Sequence, residues 1–382
     1  MKTRTAKIAS STLRALLPAG CVLGALATGA AEPAPAPTIT TLTVVDYQQQ
    51  GTPPTGPLAV VVEHDPGLAT HTIYRPKDLA NRKHGVLVWG EGGCAKNGLT
   101  FPEYLSEIAS YGFVIIADGP PIQRAGGPGR GAGGPGGPGG PGGPGAAGPG
   151  GPGGPGAGAP GAGAPRGGGA PGAGPGGPGA PRAGGPGGAP GAGGPRAGGP
   201  PGGGSMGDGG KALIEAIAWI DKESKDSRSR FYNKVNTQKM AAMGMSCGGI
   251  MSYGASGDPH VTTVGIWNSG LFSAEDRTKH FDMMHGSAII ITGGESDIAY
   301  ANGKADFESM PARIPVFYGV YPSVGHGGTY SEDNGGPYGK VAVPWLKWQL
   351  DGDTGATGKA YFTGDTCIPC KDPKWQVQSR SL

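Results

Sequence analysis

Apolar positions change their spacing several times along this chain, and each change marks an element. Thr38 to Val45 and Leu58 to Val62 are short runs rich in Thr and Val, which favours strands. His71 to Tyr74 is a third extended piece, and Pro76 should end it. These three predict an antiparallel lead-in to a sheet. From Val86 onward the pattern alternates between short apolar runs and helical spacing. Val86 to Trp89, Phe113 to Ala117, Met240 to Met243, Thr262 to Trp267, Ala288 to Thr292 and Val316 to Val320 read as buried strands. Between them, Thr100-x-x-Glu103 has the form of a capping box and predicts a helix to Tyr111, stopped by Gly112. Lys211 to Lys222 carries Leu213, Ile217 and Ile220 on one face. Ile250 to Tyr253 reads as a short helix. Gly339 to Leu350 places Val341, Trp345 and Trp348 at helical spacing. Such alternation predicts an α/β protein with a mostly parallel sheet and helices on both faces.

Composition alters this picture at two places. Gly makes up 80 and Pro 39 of the 382 residues, and most of the excess lies in one block at 124–204. The block mixes Gly-Gly-Pro, Gly-Ala-Pro and Gly-Ala-Gly units. Its tripeptide phase slips, for example at Gly145-Ala146-Ala147-Gly148, which excludes a collagen triple helix. With no apolar residue larger than Ala or Pro it cannot bury a core, so it is expected to be a disordered insertion. It leaves after the strand ending at Ala117 and returns before the helix at Lys211. A tolerated loop expansion is the plainer reading, and contact with a polymer or cell surface is the sharper one.

The second place is the start of the chain. Lys2, Arg4, Lys7 and Arg14 precede and enter an apolar run, Ala15 to Ala27, and small residues follow. Residues 1–31 therefore read as an export signal, too short and interrupted for a membrane span. Cys21 follows Ala19-Gly20, but Pro18 stands where a lipoprotein signal carries an aliphatic residue, so Cys21 should leave with the signal. A secreted or periplasmic location follows. The expected folded domain is then residues 32–123 joined to 205–382, roughly 270 residues with the remnants of its linkers, enough for one sizeable core.

The formal charge of +3 misleads, because the signal and the Gly/Pro block carry nine of the 31 cations and none of the 28 acids. The remainder is acidic, and no nucleic-acid footprint is expected.

Candidate chemistry centres on Gly244-x-Ser246-x-Gly248, set between an apolar strand and a helix. This is the context of a nucleophile elbow: a serine on a sharp, strained turn leaves no room for side chains two residues either side. The nucleophile needs a base and an orienting acid downstream. Asp297 follows the strand at 288–292 through Gly293-Gly294-Glu295-Ser296. His326 follows the strand at 316–320 through Tyr321-Pro322-Ser323-Val324-Gly325. Both fall on loops at the sheet edge that carries Ser246. Glu295 is the rival acid. His260, His280 and His285 come before the acid, out of order. The oxyanion needs two N–H donors, expected from Cys247 and from the Gly92-Gly93-Cys94 turn, at Gly93 or Cys94. Trp267 ends a strand at the same edge and is expected either as a wall of the substrate pocket or as core packing. Cys367-Ile-Pro-Cys370 has no second pair and no nearby His, so no metal site and no cofactor are expected.

In Gly-Met-Ser246-Cys-Gly, Gly-Gly-Glu-Ser-Asp297 and Val-Gly-His326-Gly-Gly the chain resembles the α/β-hydrolase superfamily. Within it, the resemblance is to secreted serine esterases related to dienelactone hydrolases and cutinase-like polyesterases. It spans about Val86 to Leu350 apart from the Gly/Pro block. It implies the α/β-hydrolase fold and hydrolysis of a small or polymeric carboxylic ester through an acyl-serine intermediate. An acyltransferase, a peptidase, or a surface-binding protein on a hydrolase scaffold would fit the same motifs. In such a fold the turn after Val86–Trp89 faces the elbow, so Cys94 and Cys247 would either bridge or pack as two buried thiols. Cys367 and Cys370 would form a local second pair.

Overall fold

A computed structural model describes residues 43–44, 52–80, 82–122 and 208–382. These belong to one compact unit, 42–382. The expected signal at 1–31 and the Gly/Pro insertion at 124–204 lie outside the described residues.

The strands are β1 (Thr43–Val44), β2 (Val60–His64), β3 (His71–Pro76), β4 (His84–Gly90), β5 (Val114–Asp118), β6 (Val235–Met245), β7 (Val261–Trp267), β8 (Ser287–Thr292), β9 (Val316–Val320) and β10 (Gln376–Arg380). They form a 10-stranded sheet in the order β1-β2-β3-β5-β4-β6-β7-β8-β9-β10. From β5 through β4 and β6 to β9 every neighbouring pair is parallel. The lead-in strands β1, β2 and β3 pair antiparallel, as the sequence predicts, and β10 closes the far edge antiparallel to β9.

Helices cover both faces: α1 (Pro102–Ser110), α2 (Lys211–Lys225), α3 (Cys247–Ala255), α4 (Ala274–Met283), α5 (Tyr300–Ser309), α6 (Gly336–Asp351) and the short α7 (Ile368–Lys371). Alternate residues of each central strand enter opposite cores, as the two-residue period of a strand requires. Val86 and Val88 of β4 join a core with Leu213 and Ile217 of α2, Met251 of α3 and Phe307 of α5. Leu87 and Trp89 join the opposite core with Tyr104 and Ile108 of α1 and Val341 and Trp345 of α6. Because both faces are covered, the central strands read as unbroken apolar runs.

The expected capping box does not form. Thr100 Oγ1 donates to the Asn97 carbonyl (2.7 Å) inside the preceding turn, and α1 begins at Pro102 with Phe101 before it. Proline suits the first helical position because its missing N–H would have no partner there. The elbow strand is longer than Met240 to Met243. It starts at Val235, and its register against β4 shifts between Gly85 and Val86. The helices α4 and α5 and the strand β10 carry too little apolar periodicity to be read in advance. Only Phe281 of α4 is buried, and β10 is an exposed or half-buried edge. Among the described residues no helix is long and apolar enough to cross a membrane.

Among the described residues two disulfides are present. Cys94–Cys247 joins the turn after β4 to the start of α3, with Cα atoms 5.3 Å apart. Cys367–Cys370 closes a local loop before β10.

Candidate active site

Ser246 sits between the last residue of β6 and the first residue of α3, at φ 55°, ψ −115°. That conformation is costly for a residue with a Cβ, and it persists because the surroundings hold it. Its N–H donates to the Trp267 carbonyl (2.9 Å), and Ser269 Oγ donates to its carbonyl (2.6 Å). The flanking glycines are required by contact. A Cβ on Gly248 would lie 1.9 Å from the Gly90 carbonyl oxygen, and one on Gly244 would lie 2.4 Å from the Gly248 backbone. The elbow therefore packs directly on the end of β4, and the spacing in Gly244-x-Ser246-x-Gly248 follows from that packing.

The loops after β8 and β9 bring Asp297 and His326 to this turn. His326 Nε2 is 2.9 Å from Ser246 Oγ, and His326 Nδ1 is 2.7 Å from Asp297 Oδ1. Asp297 is buried, and it accepts further hydrogen bonds from Gly293 N (3.0 Å), Ala299 N (2.9 Å) and Asn268 Nδ2 (2.8 Å). Burial alone would raise its carboxyl pKa. The hydrogen bonds from His326, Gly293, Ala299 and Asn268 outweigh burial and hold it below the usual range. An ionised Asp297 can only accept, so the imidazole proton resides on Nδ1, and Nε2 is left to accept from the Ser246 hydroxyl.

The rivals fall away from the site. Glu295 is exposed. His260 pairs with Asp258 (2.8 Å), His280 lies beside the Tyr253 ring, and His285 is exposed.

Cys247 is the first residue of α3, so its N–H has no acceptor within the helix and belongs to the positive end of the helix dipole. The disulfide brings the Gly92–Cys94 turn alongside. Gly93, at φ 64°, has open space where a Cβ would stand. The two halves of the expected oxyanion hole are thus adjacent.

Trp267, open in the sequence between pocket wall and core packing, is placed in the core: it is fully buried, packed edge-on to Tyr104 (5.7 Å between ring centres) and tilted against Tyr338 (5.5 Å). The helices α1 and α6 cover the face on which its side chain lies.

Residues not singled out from sequence join the site. Asn268 and Ser269, directly after β7, contact Asp297 and Ser246. Their only signal was a polar pair following an apolar strand at the elbow edge. Glu91, directly before the Gly92–Cys94 turn, is fully buried, and among the described residues neither of its carboxyl oxygens has a hydrogen-bond partner. Burial pushes its carboxyl well above the usual range. No family model and no curated protein matches this chain.

Proposed function

We propose that this chain is a serine hydrolase of the α/β-hydrolase fold that cleaves carboxylic esters. The observation that carries this reading is the hydrogen-bonded series Ser246 Oγ, His326 Nε2 and Nδ1, Asp297 Oδ1, on loops at one edge of a mostly parallel sheet. His326 takes the Ser246 proton as Oγ attacks the ester carbonyl carbon. The tetrahedral oxyanion is met by the N–H of Cys247 and by the Gly93–Cys94 turn. His326 then gives its proton to the departing alkoxide, leaving an acyl-serine and the free alcohol. Water repeats the sequence: His326 removes its proton, hydroxide adds to the acyl carbon, and the carboxylic acid leaves as Ser246 regains its proton. Asp297 holds the Nδ1–H tautomer and stabilises the imidazolium.

Two disulfides fit residence in an oxidising compartment, and with the signal-like start they support export. Hydrolysis of p-nitrophenyl acetate by the purified chain tests the reading. Ser246→Ala should keep the melting midpoint and lower kcat by about 10⁴-fold or more. A folded Ser246→Ala chain that retains most of the wild-type rate would refute it.

A further inference from the structure

Asn268 lies where the loops of the triad meet. It is the first residue after β7, fully buried, at φ 44°. That left-handed region is one that Asn tolerates better than most residues, and such positions gather at functional sites. Its Nδ2 donates to Asp297 Oδ2 (2.8 Å) and to the carbonyl of Gly325 (3.0 Å), the residue before His326. The Tyr338 hydroxyl lies 3.3 Å from the same nitrogen. Its Oδ1 accepts from the buried Tyr330 hydroxyl (2.7 Å). Its backbone N–H donates to Ile291 (2.7 Å), at the end of β8. The next residue, Ser269, holds the Ser246 carbonyl. The orientation of the amide is dictated by chemistry: a carboxylate and a carbonyl can only accept, so the NH₂ end must face them.

We infer that Asn268, oriented by Tyr330, is a positioning residue that keeps Asp297 and the His326 loop in register for proton transfer. The inference rests on the acyl-transfer reading above. Asn268 and the Gly293 N–H together occupy Asp297 Oδ2, which leaves Oδ1 aimed at His326 Nδ1. Without the amide, the carboxylate keeps the Gly293 and Ala299 N–H groups but loses its side-chain tie to β7, and the His326 loop loses a tether. The carboxylate also loses a donor, becomes a stronger base, and favours the imidazolium form of His326. The acidic limb of the kcat/KM profile should then move to higher pH.

The other titratable groups near Asp297 do not compete. The phenols of Tyr318 on β9, Tyr330, and Tyr338 on α6 are all held up by burial and stay neutral. Tyr300 on α5 is half-buried, and Glu295 on the same loop is exposed.

The test uses the full chain with p-nitrophenyl acetate and a fluorophosphonate, which bonds to a nucleophilic serine oxygen and releases fluoride. Asn268→Gly keeps the backbone conformation accessible and deletes the amide. It should lower kcat and the Ser246 labelling rate by about 10²-fold, with KM within about 2-fold, and raise the acidic limb by about half a pH unit. Tyr330→Phe removes one oxygen, should lower kcat by about 10-fold in the same direction, and carries the test if Asn268→Gly does not fold. Wild-type chain that labels at Ser246, with folded variants that match its rate and its acidic limb, overturns the role of Asn268 alone. Wild-type chain that neither labels at Ser246 nor turns over overturns the esterase reading and this inference with it.

Discussion

Breaking the Cys94–Cys247 bridge should cost stability and catalysis together, and the two costs can be worked separately. The bridge spans a sequence separation of 153. In the chain-entropy treatment, a cross-link over that length removes about 17 cal/mol/K from the unfolded chain, or about 5 kcal/mol at 25 °C. In a folded body of this size each kcal/mol moves the melting midpoint by about 2–4 °C. Cys94→Ala/Cys247→Ala should therefore melt about 10–20 °C below wild type. The Cys367–Cys370 bridge has a separation of 3, for which the same treatment gives about 2 kcal/mol. Cys367→Ala/Cys370→Ala should shift the midpoint about a third as far and leave kcat unchanged.

The catalytic cost of losing Cys94–Cys247 comes from where that bridge sits. Cys247 stays in place as the first residue of α3, but the Gly92–Cys94 turn loses its tie to the elbow. Loss of one oxyanion donor lowers kcat by about 10²–10³-fold, and a turn that is displaced rather than deleted should fall at the lower end. The assay is kcat on p-nitrophenyl acetate at a temperature where both double variants are folded by circular dichroism, with thermal midpoints measured in parallel. A Cys94→Ala/Cys247→Ala midpoint within about 3 °C of wild type would refute the entropy argument. A folded variant with wild-type kcat would refute the link to the oxyanion site.

Other expectations follow from the same geometry. Trp267→Ala empties a fully buried site between Tyr104 and Tyr338 and should cost about 3–5 kcal/mol in urea unfolding. Aromatic and acetate esters should be affected alike, and a selective rise in KM for aromatic esters would restore it as a pocket wall. Asp297 has a folded-state carboxyl pKa below its ordinary 3.8, so it contributes stability above the unfolded value that is lost as pH falls through the folded one. The wild-type melting midpoint should therefore fall toward that of Asp297→Asn as pH drops from about 5 to about 2. A gap between the two that is constant with pH would contradict the assignment of those hydrogen bonds to a charged carboxylate.

How much the sequence discloses depends on how local the cause is. The strand Val316–Val320 is legible to the residue, and β7 and β8 to within one residue. A central strand covered on both faces must be apolar throughout, so its limits are written in its own composition. The proposed nucleophile is legible for a related reason. A serine on a strained turn packed against β4 forbids a Cβ two residues either side, so the glycines mark it locally. The proposed acid and base need only follow the next strands in order, and chain order is visible in a sequence. The edge strand β10 is not legible, since Gln-Val-Gln-Ser-Arg with one half-solvated face carries no apolar period.

Tertiary structure alone decided the rest. Trp267 was open between pocket wall and core because a strand's period says which face a side chain joins, not what covers it. The rings of Tyr104 and Tyr338, brought by α1 and α6, cover it. The Cys94–Cys247 bridge depended on two turns meeting across a separation of 153. Asn268 became part of the site only when Asp297, 29 residues on, and Tyr330, 62 residues on, were folded against its two ends. A hydrogen bond is fixed by angles and tenths of an ångström between loops, and nothing in the local pattern around Asn268 encodes the distance to either partner.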